Sequence, residues 1–186
     1  TGTRLVVAMG DQRRTVDLLS GRAHFDVAKD SLRPFVVTAG DRQVVAVGTA
    51  FDVARHGDEM SVTMVEGKVV VHQPGQAVRD RTLIAGDRLR LGRVPDDMRQ
   101  DRPDVLAATA WQGGRAVFDN TPLNEAIAEL NRYDRRQLVI ADPAVGDLRI
   151  SGSYETGASE AFASSIAELL PVAVSHQPGE IVLNRK

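Results

Sequence analysis

Residues 45–53 read Val-Ala-Val-Gly-Thr-Ala-Phe-Asp-Val, so a branched or aromatic side chain returns at every second position. A period of two is typical of a β-strand with one buried face. Residues 16–18 and 23–27 show the same alternation, and Gly21 between them predicts a turn. Residues 1–93 therefore predict an all-β domain, either a sandwich or a stacked, solenoid-like sheet.

The chain changes character after this domain. Residues 94–114 are rich in proline and aspartate and predict a connector with one short helix. Residues 115–186 alternate strand and helix patterns in the order βαβ–βαββ. Their two helices are predicted to begin with caps at Asn120–Thr121 and at Ser159. The expected fold class is α+β, with two domains.

Apolar spacing sets the elements of the second domain. Its second helix is predicted to bury one face, made of Phe162, Ile166, Leu169 and Leu170. The predicted strands include residues 137–140, 148–153, 172–174 and 181–183, the last two forming a hairpin.

Composition excludes several classes of function. The formal net charge is −2, from 23 basic and 25 acidic residues, which argues against nucleic acid as the main partner. The absence of cysteine excludes disulfides, thiolate metal sites and a cysteine nucleophile. The four histidines stand alone, and the sequence has no nucleophile elbow and no phosphate-binding loop. We therefore expect the protein to bind no cofactor, to have no metal site and to catalyse no reaction on an external substrate.

Four segments of the first domain resemble the FecR family, the inner-membrane sigma-factor regulators of Gram-negative cell-surface signalling. Residues 21–28 read Gly-Arg-Ala-His-Phe-Asp-Val-Ala and resemble a strand of that family. Residues 33–37, 47–53 and 65–69 follow in the family's order and at its spacing.

The second domain carries matching residues as well. Trp111 and residues 114–115, 118–123 and 130–133 resemble the junction into the family's C-terminal module. That module is similar to the short N-terminal (STN) domain that secretins and TonB-dependent transporters share. The resemblance therefore implies a FecR-like domain at 1–93 and an STN-like domain after the connector.

The resemblance also implies a location and a task. Family members carry a cytoplasmic anti-sigma module and one membrane helix, so this sequence resembles an excised periplasmic fragment of a single-pass inner-membrane protein. The implied partner is the signalling domain of a TonB-dependent outer-membrane transporter, as in the regulation of iron transport. Through the cytoplasmic module, the state of the transporter would reach an extracytoplasmic-function (ECF) sigma factor.

An open sheet edge would let the segment bind a partner strand, because its backbone donors and acceptors are unpaired. Two predicted strands of the second domain are candidates for this edge. Arg149 and Tyr154 are expected to supply anchoring contacts. The candidate contact residues are Leu148, Arg149, Ile150 and Tyr154 in one strand and Ile181, Val182 and Leu183 in the other.

Some members of the family cleave themselves at a Gly-Thr bond, which the resemblance places at Gly48–Thr49. The threonine hydroxyl attacks the preceding carbonyl, and water then hydrolyses the resulting ester. The reaction needs a strained peptide and a base, for which Asp52 and His56 are candidates. The alternation also allows Thr49 to be an ordinary β-branched residue on the buried face of its strand.

Three classes of function are therefore open. The first is a periplasmic segment that binds a transporter domain and relays a signal. The second is a self-cleaving module, which the Gly-Thr pair supports. The third is a structural domain of a secretin-like assembly, which the C-terminal module alone would permit.

Overall fold

The structure, a computed structural model, describes residues 2–74, 80–93 and 97–186. This part of the chain divides into two compact units, Gly2–Val105 and Leu106–Lys186. The first residues of the predicted connector, 94–96, lie outside the described residues. Within the connector, α1 (Val105–Thr109) is followed by a 3₁₀ turn (Ala110–Gly113).

The first unit is made of β-strands. In the described residues they are β1 (Arg4–Met9), β2 (Arg14–Asp26), β3 (Phe35–Ala39), β4 (Arg42–Ala46), β5 (Ala50–His56), β6 (Glu59–Glu66), β7 (Lys68–His72), β8 (Arg81–Ile84), β9 (Arg88–Leu91) and β10 (Met98–Asp101). They form one sheet in the order β10-β9-β6-β5-β2-β3-β4-β7-β8, and β1 also pairs with β2. Among the described strand pairs of this first unit, only β2–β3 is parallel. The sheet curls around one core, and its antiparallel ladders differ from the stacked coils of a solenoid.

β2 connects the two halves of the curled sheet. Its residues 14–17 pair with β3, and its residues 21–26 pair with β5. The change of partner follows a bend at Gly21, where φ is +92° and a Cβ would lie 2.6 Å from the Cα of Thr3. Only glycine fits this position. The turn predicted here is wrong, because the bend lies inside one continuous strand.

The run at residues 45–53 is two strands rather than one. Residues 47–49 separate β4 from β5, and Gly48 has a left-handed φ of +70°. The turn changes the phase of the alternation: the buried residues of β4 are at even positions, Val44 and Ala46, whereas those of β5 include the odd positions Phe51 and Val53. A period of two in the sequence does not reveal this change, because valine is compatible with either face of a strand.

The core of the first unit takes side chains from both halves of the sheet. Phe25 packs against Phe35 and Phe51, with ring centroids 5.6 and 5.4 Å apart. Burying side chains of this size contributes about 1.5–3 kcal/mol each. The most deeply buried members are Leu18, Val37, Val44, Phe51, Val53, Val62, Met64 and Leu83.

The second unit alternates strands and helices around a separate core. Its elements are β11 (Arg115–Pro122), α2 (Leu123–Leu130), β12 (Gln137–Ile140), α3 (Pro143–Gly146), β13 (Arg149–Glu155), α4 (Ser159–Leu169), β14 (Val172–Gln177) and β15 (Glu180–Arg185). β11 pairs with β13, and β15 lies between β12 and β14 in a second sheet. The order of strands and helices agrees with the sequence pattern, apart from the additional short helix α3. The STN-like assignment and the domain limits stay predictions.

Both predicted helix caps are wrong. Asn120 and Thr121 belong to β11, and α2 begins after Pro122 with no side-chain cap. Ser159 is the first residue of α4, and Ala158 holds the cap position before it. The predicted apolar face of α4 is also too wide, because Leu169 is 70% exposed.

Asp134, which lies outside α4, accepts a hydrogen bond from the first backbone N–H of that helix. One oxygen of its carboxylate accepts the Ser159 backbone N–H at 3.1 Å, and the other accepts the Arg136 N–H at 3.1 Å. Burial raises the pKa of Asp134, but these hydrogen bonds outweigh it and hold the pKa below its ordinary value of 3.8. The carboxylate therefore fixes the loop before β12 to the start of α4.

We expect Asp134→Asn to lower the free energy of unfolding by about 1 kcal/mol at neutral pH, as loss of a helix cap does. The folded pKa is below the unfolded one, so the carboxylate stabilises the fold above that range and stops doing so as pH falls through the folded pKa. The difference between wild type and variant should therefore shrink below pH 3.8. Urea unfolding at about pH 7 and about pH 3 measures it, and a constant difference would contradict the assignment.

Candidate functional site

The Gly48–Thr49 turn is held tightly from one side. The Thr49 carbonyl accepts the Val27 backbone N–H at 3.0 Å. A Cβ on Gly48 would lie 2.9 Å from the Cα of Lys29, so no larger residue fits beside the loop after β2. With the left-handed φ of Gly48, the peptide occupies a conformation that other residues rarely adopt.

The Thr49 side chain has an unusual surrounding for a hydroxyl. Thr49 is 4% exposed, and its Oγ1 has no hydrogen-bond partner among the described residues. Buried hydroxyls are nearly always hydrogen-bonded, since leaving one unpaired costs about 1–3 kcal/mol. An unpaired, buried hydroxyl next to a glycine carbonyl in a left-handed turn is the arrangement from which an acyl shift would start.

Neither predicted base reaches this hydroxyl. Asp52 is 2% exposed, and its carboxylate receives Arg22 Nη2 at 3.0 Å and His24 Nδ1 at 2.7 Å. His56 is exposed at the end of β5. The assignment of Asp52 or His56 as the base is not supported, because Thr49 Oγ1 is hydrogen-bonded to neither. Asp52 is a structural residue that ties β5 to β2.

One of the two predicted sheet edges is wrong. β15 carries Ile181, Val182 and Leu183, and it pairs with β12 on one side and β14 on the other. All three residues are buried. The parallel pairing with β12, which joins residues distant in sequence, places β15 in the centre of its sheet.

β13 has an open edge in the described part of the chain, where its one neighbour is β11. The Thr156 N–H bonds to the Gly114 carbonyl. In an antiparallel pair the residues that exchange hydrogen bonds alternate with those that do not. The backbone groups of Gly152 and Tyr154 therefore bond to β11. The backbone groups of Ser153 and Glu155 point away from β11.

The side chains of β13 follow the same alternation. Ile150 is buried, Leu148 packs against the core, and the Tyr154 ring lies edge-on to Phe162 with centroids 4.9 Å apart. Tyr154 is half-buried against the core and also lines the groove beside β13, so its role as an anchoring contact stays a prediction. Arg149 does point outward, and it donates to the Asn120 carbonyl. The sequence analysis did not select the other outward residues, Ser151, Ser153 and Glu155, although their alternation with apolar residues was a usable signal.

A groove of about 320 Å³ lies between β13 and α4. The helix contributes mainly small side chains to it, at Ala158, Ala161 and Ser165. On the strand side, Arg115 donates from Nη2 to the Ser153 carbonyl at 3.1 Å and from Nε to the Ser153 hydroxyl at 2.8 Å. The open edge of β13 therefore lies beside a groove. Its Ser153 carbonyl is hydrogen-bonded to the Arg115 side chain.

The outer edge of β12, in contrast, is closed by a side chain. The Asn131 amide donates to the Leu138 carbonyl at 2.9 Å and accepts the Leu138 N–H at 2.8 Å. These two bonds imitate a neighbouring strand, so they protect the edge from pairing. Asn131 lies in the segment 130–133 that resembles the family junction, but the sequence did not indicate this role.

We expect Asn131→Ala to lower the free energy of unfolding by about 1–3 kcal/mol, because it leaves both backbone groups of buried Leu138 unpaired. Chemical denaturation followed by circular dichroism measures the loss. Asn124→Ala is the matched control, since the exposed Asn124 side chain accepts the N–H of the adjacent Glu125 and bonds to no distant strand among the described residues. Equal stability of the Asn131 variant and the control would show that the two bonds to Leu138 contribute nothing.

The described residues hold no group of three metal-binding side chains. Among them, every helix is too short or too polar to cross a membrane.

Comparisons with known proteins agree with the all-β architecture of the first unit and extend the similarity over the whole chain. Residues 1–70 match the model of the FecR protein family. A crystal structure of a candidate anti-sigma factor from Parabacteroides distasonis superposes with a TM-score of 0.82 at 25% identity, covering 100% of this chain and 87% of that one. A second such structure from the same organism has a TM-score of 0.77 at 24% identity, over 96% and 83%. No curated protein sequence matches the chain.

Proposed function

We propose that this chain, whose residues 1–70 match the FecR family model, is the periplasmic signalling segment of a transmembrane sigma-factor regulator. The observation that carries the proposal is the similarity of the whole chain to a candidate anti-sigma factor. The family match favours a regulator over a structural domain of a secretin-like assembly.

The proposed partner is the signalling domain of a TonB-dependent outer-membrane transporter. The second unit supports this partner with an open backbone edge on β13, in the described residues, and with a groove next to that edge. The closed edge of β12 and the central position of β15 leave fewer places for such pairing. Binding in the periplasm would be relayed to an ECF sigma factor through a membrane-anchored, cytoplasmic part of the regulator.

Isothermal titration calorimetry tests the partner. The chain is titrated with the isolated signalling domain of a TonB-dependent transporter from the same organism, and with the corresponding transporter from which that domain has been removed. The proposal predicts a heat of binding with the first and none with the second. No heat with the signalling domain of any such transporter in the organism would contradict it.

We also propose a second function, self-cleavage at Gly48–Thr49, which the unpaired Thr49 hydroxyl and the left-handed Gly48 favour. Thr49 Oγ1 attacks the Gly48 carbonyl carbon, the C–N bond breaks, and the hydroxyl proton is balanced by protonation of the departing Thr49 nitrogen. Water then hydrolyses the ester. The products are a Gly48 carboxylate and a Thr49 residue with a free amino group and its hydroxyl restored.

Mass spectrometry of freshly synthesised protein tests self-cleavage. Wild type should give fragments 1–48 and 49–186, and Thr49→Ala should give the intact chain. Thr38→Ala is a suitable control, because Thr38 lies inside β3 and follows a valine rather than a glycine. An intact wild-type chain, or fragments that persist in Thr49→Ala, would end this second proposal.

A further inference from the structure

Gly67, between β6 and β7, packs directly against the Gly48–Thr49 turn. It has a φ of +79°, and a Cβ placed on it would lie 2.8 Å from the Thr49 Cγ2 methyl and 3.2 Å from the Gly48 carbonyl oxygen. Two carbon atoms that are not bonded prefer to be about 3.5–4.0 Å apart. The bare α-carbon of Gly67 is therefore what allows the Thr49 methyl to occupy its place.

The surroundings of this contact leave little freedom to move. The Gly67 carbonyl accepts the Ala85 backbone N–H at 3.1 Å. This hydrogen bond joins the turn at Gly67 to the residue that directly follows β8. On the opposite side, the Thr49 carbonyl is bonded to Val27 and the Gly48 α-carbon abuts Lys29. The peptide between Gly48 and Thr49 is thus enclosed by two backbone segments.

The Thr49 rotamer is set by packing rather than by hydrogen bonding. The side chain of a threonine occupies one of three staggered positions, and choosing the place of the methyl also chooses the place of the hydroxyl. Since Thr49 Oγ1 has no hydrogen-bond partner in the described residues, no polar contact there selects its direction. The close approach of Cγ2 to Gly67 is a packing contact that favours this rotamer.

We propose that Gly67 is a positioning residue for cleavage at Gly48–Thr49, holding the Thr49 methyl so that the hydroxyl keeps the direction from which it attacks. This inference rests on the self-cleavage proposed above. It assigns a role to the glycine of residues 65–69, a segment that the sequence analysis related to the family without a function. Gly67 itself takes no part in bond making or breaking.

The test measures the rate of cleavage during cell-free synthesis of the full chain, from the appearance of fragments 1–48 and 49–186. Gly67→Ala should slow cleavage by at least about tenfold, because the new methyl displaces Cγ2 and rotates the hydroxyl away. Thr49→Ser removes Cγ2 and keeps the nucleophile. The double variant Gly67→Ala with Thr49→Ser should therefore cleave at the rate of Thr49→Ser alone.

Gly57→Ala is the matched control for backbone strain. Gly57 is also left-handed, with φ +59°, but a Cβ there has nothing within 4 Å. It should cleave like wild type. Thr49→Ser alone should cleave more slowly than wild type, because without Cγ2 the rotamer of residue 49 is no longer fixed. This comparison does not require the Gly67→Ala variant to fold.

The possible outcomes distinguish failure of the role of Gly67 from failure of self-cleavage itself. A wild-type chain that stays intact overturns both. A wild-type chain that is cleaved, with Gly67→Ala cleaved at the same rate, overturns the role of Gly67 alone. Failure of Thr49→Ser to remove the effect of Gly67→Ala would also overturn it, because a defect of folding would not depend on the methyl of Thr49.

Discussion

Ser153→Pro should weaken binding of the transporter signalling domain on the order of 100-fold while leaving the fold intact. The Ser153 backbone faces the open side of β13, so proline removes an N–H that β11 does not use. The proline ring also blocks the approach of an added strand. Calorimetric titration of the folded variant, checked by circular dichroism, measures the loss.

The matched control is His176→Pro on the outer side of β14. Lys186 donates to the Pro171 carbonyl, so by the same alternation the His176 backbone faces away from β15. This variant should bind the partner like wild type. If Ser153→Pro binds normally and His176→Pro does not, the partner uses β14, and the assignment of β13 is wrong.

Asp52→Ala should lower the free energy of unfolding by about 3 kcal/mol, the cost of breaking a buried ion pair from one side. Removing the carboxylate leaves Arg22 and His24 of β2 without this partner. Thermal or urea unfolding measures the change. Asp26→Ala, which removes an exposed carboxylate from the same strand β2, should change stability by less than about 0.5 kcal/mol.

The same variant distinguishes a structural role of Asp52 from a catalytic one. Because Asp52 makes no hydrogen bond to Thr49 Oγ1, the structure predicts that folded Asp52→Ala still cleaves if the wild type does. Loss of cleavage with unchanged stability would reverse the assignment made here and restore Asp52 as the base.

The sequence predicts the strands of the first unit well, because their core positions alternate with period two. It cannot predict Gly21 and Gly48 correctly. Gly21 looks like a turn residue but bends a continuous strand, whereas Gly48 looks like part of a strand but divides it into β4 and β5. Which of these occurs depends on the strands that pair on each side, and pairing is decided by contacts distant in sequence.

The candidate sites show the same division between local and distant information. Alternation within residues 149–155 identifies which side chains of β13 face outward, so this part of the site was accessible from sequence. The central position of β15 was not, because its parallel neighbour β12 lies about 40 residues earlier. The roles of Asn131 and Gly67 depend on backbone groups of other elements, which no local pattern contains.

Hydrogen exchange of the β13 amides, with and without the transporter signalling domain, tests the central claim most directly. The claim predicts that the outward amides of Ser153 and Glu155 exchange more slowly in the complex, since they bond to the added strand. The amide of Tyr154, already bonded to β11, should change less. A complex that forms while the Ser153 and Glu155 amides exchange as fast as in the free chain would contradict strand addition at β13.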